Sequence, residues 1–168
     1  MINGLILSKD RACQLRFLLE SVSVNAPSLL GKIKIIYTST SDDFAKGYEK
    51  LKSEEILPNI VLNALKTCES EYICGIVDDC VIYKKLPTSP QQIEAVFDDK
   101  VFCFSLRLGV NTTIQNYMMP NQPVELQKFQ QNPHCVKWDW KEWSSKLNYG
   151  YPISLDGHIF RTKEISDL

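Results

Sequence analysis

The sequence has few histidines, almost no net charge and no long apolar run. It contains 2 His in 168 residues, and its formal net charge is -1. This charge argues against a nucleic-acid-binding protein, because such proteins rely on a basic surface. No C-x-x-C pair and no H-E-x-x-H helix occurs, so a structural zinc site is not expected. No apolar stretch approaches the ~20 residues of a membrane-spanning helix.

The N-terminus and the cysteines indicate a cellular location. Met1 leads directly into a strand-like segment without a basic leader, so no signal peptide is expected. The 6 cysteines lie mostly among apolar neighbours, which favours buried free thiols over disulfides. We therefore expect a soluble, cytoplasmic protein. The cysteines are Cys13, Cys68, Cys74, Cys80, Cys103 and Cys135.

The first third of the chain alternates between strand and helix patterns. Gly4–Leu7 is a continuous apolar run that predicts a buried strand. Apolar residues at helical spacing predict a helix over Ala12–Val24, and Ile33–Tyr37 predicts a second strand. The next expected features are a helix face of Phe44, Tyr48 and Leu51, and a short helix from Pro58 that carries Val61, Leu62 and Leu65.

The middle and end of the chain add further elements. Tyr72–Val77 predicts a buried strand, with a brief continuation at Val81–Tyr83. Ser89, Pro90 and Gln92 predict a helix start with a capping box. The remaining expected elements are a strand at Val101–Leu106, a short strand at Ile159–Phe160 and a final helix capped by Thr162.

The order of these elements predicts one α/β domain with a mainly parallel sheet and helices on its faces. A long polar stretch runs from Gly109 to about Tyr151, and such a stretch inside a domain is usually functional or mobile. The sequence stops where another helix would form, which is consistent with a truncated version of the domain.

Two adjacent acids, Asp78 and Asp79, follow the most apolar predicted strand. Ligands of open α/β sheets bind beyond the carboxyl ends of the strands. Adjacent carboxylates repel each other unless a cation or strong donors neutralise them, and Mg²⁺ or Mn²⁺ commonly binds between carboxylates and substrate phosphates. The alternative is that the two acids only begin a turn, where Asp is common.

The segment Glu71–Ile82 resembles the acidic-motif strand of GT-A glycosyltransferases, the family-2-like nucleotide-diphospho-sugar transferases. In those enzymes a motif of the D-x-D kind binds the metal and the nucleotide sugar. Leu5–Arg11 with the following helix resembles the family's first strand and nucleoside-contacting loop. Ile33–Asp43 resembles its second strand and polar loop, and Pro152–Ile165 is similar more loosely.

The resemblance implies a GT-A-like three-layer α/β/α sandwich. It also implies a nucleotide-sugar-binding part over about residues 1–108 and an acceptor-side part over about 109–168. The expected activity is transfer of a sugar from a nucleotide-diphosphate donor to a carbohydrate or other hydroxyl acceptor, with Mn²⁺ or Mg²⁺ held by Asp78 and Asp79. This sequence lacks a clean D-x-D, and we expect Asp79 to bind the metal directly while Asp78 contacts the ribose or a metal-bound water.

The resemblance also assigns donor contacts to several polar residues. Ser8, Asp10 and Arg11 would line the pocket for the base and the diphosphate, and the planar guanidinium of Arg11 suits a phosphate. Where the family often ends its second strand in an acid, this sequence has Tyr37 and Thr38, so Asp42 or Asp43 would contact the nucleoside. Arg107 would reach the diphosphate or the acceptor. Surface roles for Arg11 and Arg107 are the alternatives.

The acceptor side contains all 3 tryptophans in the segment 138–143. Flat aromatic rings suit the apolar faces of sugars, and Trp140 is the candidate for such a contact, whereas Trp138 and Trp143 are expected to pack. Asp156 and His158 are the candidates for the base that deprotonates the acceptor hydroxyl. His158 could instead bind the metal or be structural. Asp139 and Glu142 are further candidate bases.

Two other readings compete with the glycosyltransferase. A metal-dependent nucleotidyltransferase or phosphohydrolase could use the same acidic pair, but Ser8–Arg11 has none of the glycines expected of a nucleotidyltransferase loop. The other is a non-catalytic module that binds a nucleotide sugar and lacks the base.

Overall fold

The computed structural model describes residues 1–51, 55–58, 65–86, 89–112, 123–132 and 135–167. Its strands are β1 Ile2–Lys9, β2 Leu30–Thr38, β3 Glu55–Pro58, β4 Tyr72–Val77, β5 Cys103–Ser105, β6 Gln130–Asn132, β7 Cys135–Lys137 and β8 His158–Arg161. Its α-helices are α1 Ala12–Asn25, α2 Asp42–Glu49, α3 Pro90–Glu94 and α4 Thr162–Ser166, and the 3-10 turns are Leu126–Lys128, Trp140–Glu142 and Asn148–Gly150.

The main sheet has six strands in the order β3-β2-β1-β4-β8-β5. Strands β1 to β4 are parallel to one another, whereas β8 is antiparallel to both of its neighbours, β4 and β5. The sheet is therefore mixed, and the parallel arrangement expected from the sequence describes its four-stranded part. A separate hairpin is formed by β6 and β7.

Strands β1 and β4 are the two central strands of the six-stranded sheet, and both are buried along most of their length. This explains why their sequences read as continuous apolar runs rather than alternating ones. Ile6 belongs to a large apolar cluster on one face of the sheet, together with Leu15 and Leu18 of α1. Leu5 belongs to a smaller cluster on the other face, against which Ile165 of α4 packs.

Several sequence predictions are confirmed in this region. The helix expected over Ala12–Val24 is α1, and the strand expected over Tyr72–Val77 is β4. The capping box of α3 is present: the Ser89 hydroxyl accepts from the Gln92 amide, and the Gln92 side chain accepts from the Ser89 amide.

Other element predictions are wrong. Pro58 is the last residue of β3 and not a first helical residue. Of the expected helix positions, Val61 and Leu62 lie outside the described residues, whereas Leu65 is helical and packs against the smaller apolar cluster, as expected. Residues 81–83 form no strand, because the chain turns away at Asp78 and Asp79. Thr162 does not cap α4, since its hydroxyl donates to the Ser70 carbonyl oxygen at 2.7 Å.

A third cluster of buried apolar residues lies in the segment of the chain between β5 and β8. Trp143 and Tyr149 pack in it with tilted rings at a centroid distance of 4.9 Å. Trp138 packs at its edge and donates its indole N–H to the Tyr149 carbonyl oxygen at 3.0 Å. The packing roles expected for Trp138 and Trp143 are therefore confirmed.

All six cysteines are free, as expected. Cys74 on β4 is fully buried, and this burial raises the pKa of its thiol to about 12, so the thiol stays protonated at neutral pH. Cys13 on α1 is exposed, against the expectation of burial. Across the described ranges, no helix has both the length and the hydropathy that a bilayer crossing needs.

The order of the strands defines where a ligand would bind. From β1 the chain adds β2 and β3 on one side, whereas β4 lies on the other side of β1. The carboxyl ends of β1 and β4 therefore flank a topological switch point, which is the usual position of a binding crevice in an open α/β sheet.

Gly75 on β4 makes a close approach that a side chain would prevent. A Cβ atom there would lie 2.7 Å from Leu155 Cδ2 and 3.3 Å from the Leu155 Cα atom. We predict that Gly75→Val lowers the free energy of unfolding by about 1–3 kcal/mol, because overpacking forces the neighbouring backbone to move. Urea denaturation measures this change.

Val24→Ala is a suitable comparison, since Val24 is 71% exposed on α1 and should change stability by less than about 0.5 kcal/mol. Wild-type stability of Gly75→Val would contradict the close approach of the chain before β8.

Candidate functional site

A cleft of about 540 Å³ opens at the switch point. This volume lies within the range of small-molecule binding sites, about 300–1,000 Å³. Its walls come from the carboxyl ends of β1, β2 and β4 and from the segment before β8. The lining residues are Leu7, Ser8, Lys9, Arg11, Ile36, Tyr37, Thr38, Val77, Asp78, Asp79 and Asp156.

Asp78 is the buried acid of the cleft, with 4% of its surface exposed. Its Oδ2 atom accepts from the Ser8 hydroxyl at 2.7 Å and from the Lys9 amide at 3.2 Å. A buried carboxylate needs such donors because they replace the water that it loses. The end of β4 is thereby attached through a side chain to the end of β1.

A hydrogen-bond chain continues behind Ser8. The Ser8 hydroxyl lies 2.6 Å from the Tyr48 hydroxyl, and the Tyr48 oxygen accepts from the Arg11 amide at 2.9 Å. Ser8 has a single hydroxyl proton, which it gives to Asp78, so Tyr48 must be the donor to Ser8. The chain therefore has one polarity, from the Arg11 amide through Tyr48 and Ser8 to the Asp78 carboxylate.

Tyr37 forms one wall of the cleft at the end of β2. Its ring stacks on the buried Tyr48 ring with a centroid distance of 4.3 Å and an interplanar angle of 28°. The ring of Tyr37 is thus held in place by a residue that is itself fixed by hydrogen bonds. The result is an aromatic surface of defined orientation beside the acidic pair.

Arg11 bridges the two acids with one nitrogen atom. Its Nη1 atom lies 3.0 Å from Asp79 Oδ2 and 3.4 Å from Asp78 Oδ1. The side chains of Arg11 and Asp79 are 49% and 58% exposed, so water screens the closer of these two ion pairs. The bridge neutralises part of the repulsion between the two adjacent carboxylates.

Asp156 reaches the same cleft because β8 is antiparallel to β4. Gly75 of β4 pairs with His158 of β8, so the residues just before β8 lie beside the carboxyl end of β4. Gly157 has φ +78° and donates its amide to the Gly75 carbonyl oxygen at 2.9 Å, a backbone conformation that favours glycine. The Asp156 carboxylate accepts from the Ser154 hydroxyl at 3.1 Å.

The cleft brings three carboxylates and two cationic side chains together. Within the described ranges, no three His, Cys, Asp or Glu side chains converge as a metal-binding group. Mg²⁺ usually takes only one or two protein carboxylates and completes its shell with water and phosphate. Asp79 is the carboxylate that could serve in this way, because it is exposed and only its Oδ2 atom is hydrogen-bonded to a described residue.

Five of the residues singled out from the sequence line this cleft. They are Ser8, Arg11, Asp78, Asp79 and Asp156. They come from three separate parts of the chain, and the parallel ends of β1 and β4 together with the reversed β8 bring them to one place.

Three predicted donor contacts lie elsewhere. Asp10 has φ +57° and accepts from the Thr40 amide at 2.7 Å, so it joins the loops after β1 and β2 without lining the cleft. Asp42 and Asp43 are exposed in the first turn of α2, where Asp43 pairs with Lys46 at 3.2 Å. Their contacts with a nucleoside stay a prediction.

Arg107, Trp140 and His158 are also outside the walls of the cleft. Arg107 is exposed after β5, and Trp140 is 39% exposed with the Lys141 amine 5.7 Å from its ring. His158 is buried within β8, with 1% of its surface exposed. Their predicted roles in donor or acceptor chemistry are not tested by this arrangement.

Sequence reasoning missed four residues of the site. Lys9, Tyr37 and Thr38 end two neighbouring parallel strands, so the rule that located Asp78 could have found them. The sequence did not predict a role for Tyr48, because it occupies a position on the apolar face of a predicted helix. Its hydroxyl acquires a role only through the packing of α2 against β1.

His158 is neutral over most of the pH range. Burial, with a smaller contribution from the positive charge of Arg107, lowers the pKa of its imidazole to about 4. Nδ1 lies 3.2 Å from the Pro152 carbonyl oxygen, which can only accept, so Nδ1 carries the proton. Nε2 has no hydrogen-bonding partner among the described residues.

The chain is similar to two known proteins, whereas no family model matches it. It is 22% identical over 189 residues to the bifunctional glycosyltransferase pgtA of Dictyostelium discoideum. Among solved structures it is similar to S. aureus TarS 1–349 in complex with UDP, with a TM-score of 0.54 and 16% identity.

Both similarities extend over 99% of this chain, which spans 25% of pgtA and 48% of the TarS chain. The resemblance to nucleotide-sugar glycosyltransferases is thus confirmed, and the likeness to TarS shows a shared α/β fold.

The hydrogen-bond chain yields a prediction for Tyr48. Tyr48→Phe removes the acceptor of the Arg11 amide and one partner of Ser8, so it should lower the free energy of unfolding by about 1–3 kcal/mol. Tyr83→Phe removes a hydroxyl from a ring that is 80% exposed and should change it by less than about 0.5 kcal/mol. Equal stabilities of the two variants in urea denaturation would show that the Tyr48 hydroxyl is not needed.

The buried His158 yields a prediction of pH dependence. Between about pH 6.5 and pH 4 the unfolded chain protonates His158 and the folded chain does not, so stability falls as the pH falls. His158→Asn keeps a donor for Pro152 and removes this titration. We predict that its loss of stability from pH 7 to pH 5 is smaller than that of the wild type by about 2 kcal/mol. Urea denaturation at the two pH values measures this, and equal losses would contradict the lowered pKa.

Proposed function

We propose that the chain is the donor-binding part of a glycosyltransferase that moves a sugar from a nucleotide-diphosphate donor to a hydroxyl acceptor. One observation carries this proposal: the cleft at the β1/β4 switch point contains a buried acid, an exposed acid, an arginine and an aromatic wall. These groups provide the chemistry that a nucleoside diphosphate requires.

The donor would bind through three kinds of contact. The exposed guanidinium of Arg11 can pair with a diphosphate oxygen, because its planar fork matches phosphate geometry. Tyr37, held by its stack on Tyr48, offers a flat surface to the base. The similarity to a protein crystallised with UDP supports uridine as the first nucleoside to test.

The proposal includes Mn²⁺ or Mg²⁺ at Asp79. The exposed carboxylate of Asp79 suits direct coordination, whereas both oxygens of Asp78 already accept hydrogen bonds, from Ser8, Lys9 and Arg11. When bound, the cation would neutralise the charge that develops on the leaving diphosphate. Asp78 would then hold Ser8 and the end of β1 in position for the donor.

Asp156 is our candidate for the base that accepts the proton of the acceptor hydroxyl. It lies in the same cleft as Asp79, and the Ser154 hydroxyl orients its carboxylate. A base has to be within hydrogen-bond reach of the acceptor, and only a group on the wall of the cleft meets this condition. His158 is buried and neutral, so a structural role suits it better.

The wider parts of the proposal follow from the same resemblance. They are a GT-A-like three-layer sandwich, a donor part over about residues 1–108 and an acceptor part over about 109–168. The cytoplasmic location in the proposal is supported by the six free cysteines. Because the chain spans only part of pgtA and TarS, the acceptor and the activity of a whole enzyme belong to this proposal as well.

The test is a thermal-shift titration with UDP and UDP-sugars, in Mn²⁺ and in EDTA. A ligand that binds only the folded state adds about 2.7 kcal/mol of stability at one hundred times its Kd, so we expect a rise in Tm of several degrees that requires Mn²⁺. Asp79→Asn should abolish the metal-dependent part. Asp99→Asn, which removes the same charge from an exposed position outside the cleft, should leave it unchanged.

A full metal-dependent shift in Asp79→Asn would contradict the assignment of the metal ligand. If no nucleotide shifts Tm at millimolar concentration, the donor site itself is wrong. Release of phosphate from simple monoesters would then favour a phosphohydrolase. Donor binding without turnover of any donor would favour a non-catalytic module.

A further inference from the structure

We propose that Arg11 is a built-in counter-cation of the acidic pair, which a diphosphate must draw away before Asp79 accepts a divalent metal. This inference rests on the proposed function and adds how the binding of the metal depends on the binding of the diphosphate. Free metal binds poorly, and the metal and the diphosphate bind together.

The position of Arg11 carries the first step. A single nitrogen atom, Nη1, contacts Asp78 at 3.4 Å and Asp79 at 3.0 Å. A metal on Asp79 would therefore stand directly beside a positive guanidinium. Like charges at such a distance repel strongly, so the two cations compete for the same carboxylate.

The second step is that the Arg11 side chain can leave while its backbone stays. The Arg11 amide donates to Tyr48 at 2.9 Å, and its carbonyl oxygen accepts from the Leu15 amide at 2.9 Å in the first turn of α1. The side chain, in contrast, is 49% exposed. Movement of the guanidinium therefore needs no change in the strand or the helix.

The third step concerns the charges left behind. When Arg11 leaves, the buried Asp78 keeps its bonds from Ser8 and from the Lys9 amide. Asp79 loses its ionic partner, but its side chain is 58% exposed and water can solvate it. Asp79 is thus the acid that becomes available to a metal, and Asp78 remains hydrogen-bonded to the protein.

A diphosphate supplies the reason for the movement. Its oxygens offer Arg11 a bidentate, doubly charged partner in the same cleft, which is stronger than one shared contact with two carboxylates. The metal then gains Asp79, and the diphosphate gains both the metal and Arg11. Such coupling is reciprocal: each ligand raises the affinity for the other by the same factor.

The decisive measurement is the affinity for Mn²⁺ without nucleotide, read from the electron paramagnetic resonance signal of free Mn²⁺. Arg11→Gln removes the competing cation, so we expect it to bind free Mn²⁺ about tenfold more tightly than the wild type, a factor usual for coupled sites. The same variant should bind UDP in EDTA more weakly. Arg11→Lys restores a cation and should return Mn²⁺ affinity toward the wild-type value.

Two control variants distinguish the direct contact of Arg11 with the two acids from the general effect of removing a positive charge. Arg16→Gln removes an arginine on the exposed face of α1 that pairs with Glu20, and should leave Mn²⁺ affinity unchanged. Lys9→Gln removes a charge from the cleft wall without removing the bridge, and should give a smaller gain than Arg11→Gln.

The inference is overturned if Arg11→Gln binds free Mn²⁺ no more tightly than the wild type, or if Lys9→Gln gains as much. If the wild type binds Mn²⁺ with UDP in that case, the proposed function stands and only the role of Arg11 falls. If the wild type binds neither, both fall together.

Discussion

The site depends on keeping one carboxylate charged inside the protein. Asp78 is almost completely buried, and an ionised group loses far more solvation on burial than packing can return. Donors from β1 meet this requirement, and one of them, the Ser8 hydroxyl, is itself fixed by the hydroxyl of Tyr48 on α2. One electrostatic requirement therefore ties β1, β4 and α2 together, and the cleft opens at the carboxyl ends of β1 and β4.

The different environments of Asp78 and Asp79 follow from this requirement. Asp78 accepts hydrogen bonds from the Ser8 hydroxyl and the Lys9 amide. Asp79, the next residue, is exposed to solvent and can accept further bonds. A single turn after β4 thus supplies one buried carboxylate held by the protein and one exposed carboxylate. Because β8 is antiparallel, the residues just before it lie at the carboxyl ends of β1 and β4, and this places a third carboxylate, Asp156, in the cleft. If β8 were parallel, the residues before it would lie at the opposite edge of the sheet.

Local sequence predicted the part of the fold that depends on local rules. Apolar runs located β1 and β4, and the positions just beyond them located Ser8, Arg11, Asp78 and Asp79. What could not be predicted depends on long-range pairing. Nothing near Tyr48 signals that its hydroxyl would meet Ser8.

The placement of other predicted site residues outside the cleft has the same origin. Asp10 follows β1 but binds Thr40 of the loop after β2, and Asp43 pairs with Lys46 within α2, so neither lines the cleft. The family resemblance made His158 a candidate base, with metal binding or a structural role as the alternatives. Its side chain is buried at the start of β8, which lowers its pKa, and burial in a tertiary fold is not visible in a local pattern.

The place of β8 in the sheet also has a consequence for how the protein is made. Strand β5 has β8 as its neighbour in the main sheet, and β8 leaves the ribosome only after the whole intervening segment, residues 106–157. Until then the nascent chain carries β4 as an open apolar edge, to which strands of other chains can add. Synthesis slowed within that segment would prolong the exposure, so the timing of translation there bears on the yield of folded protein.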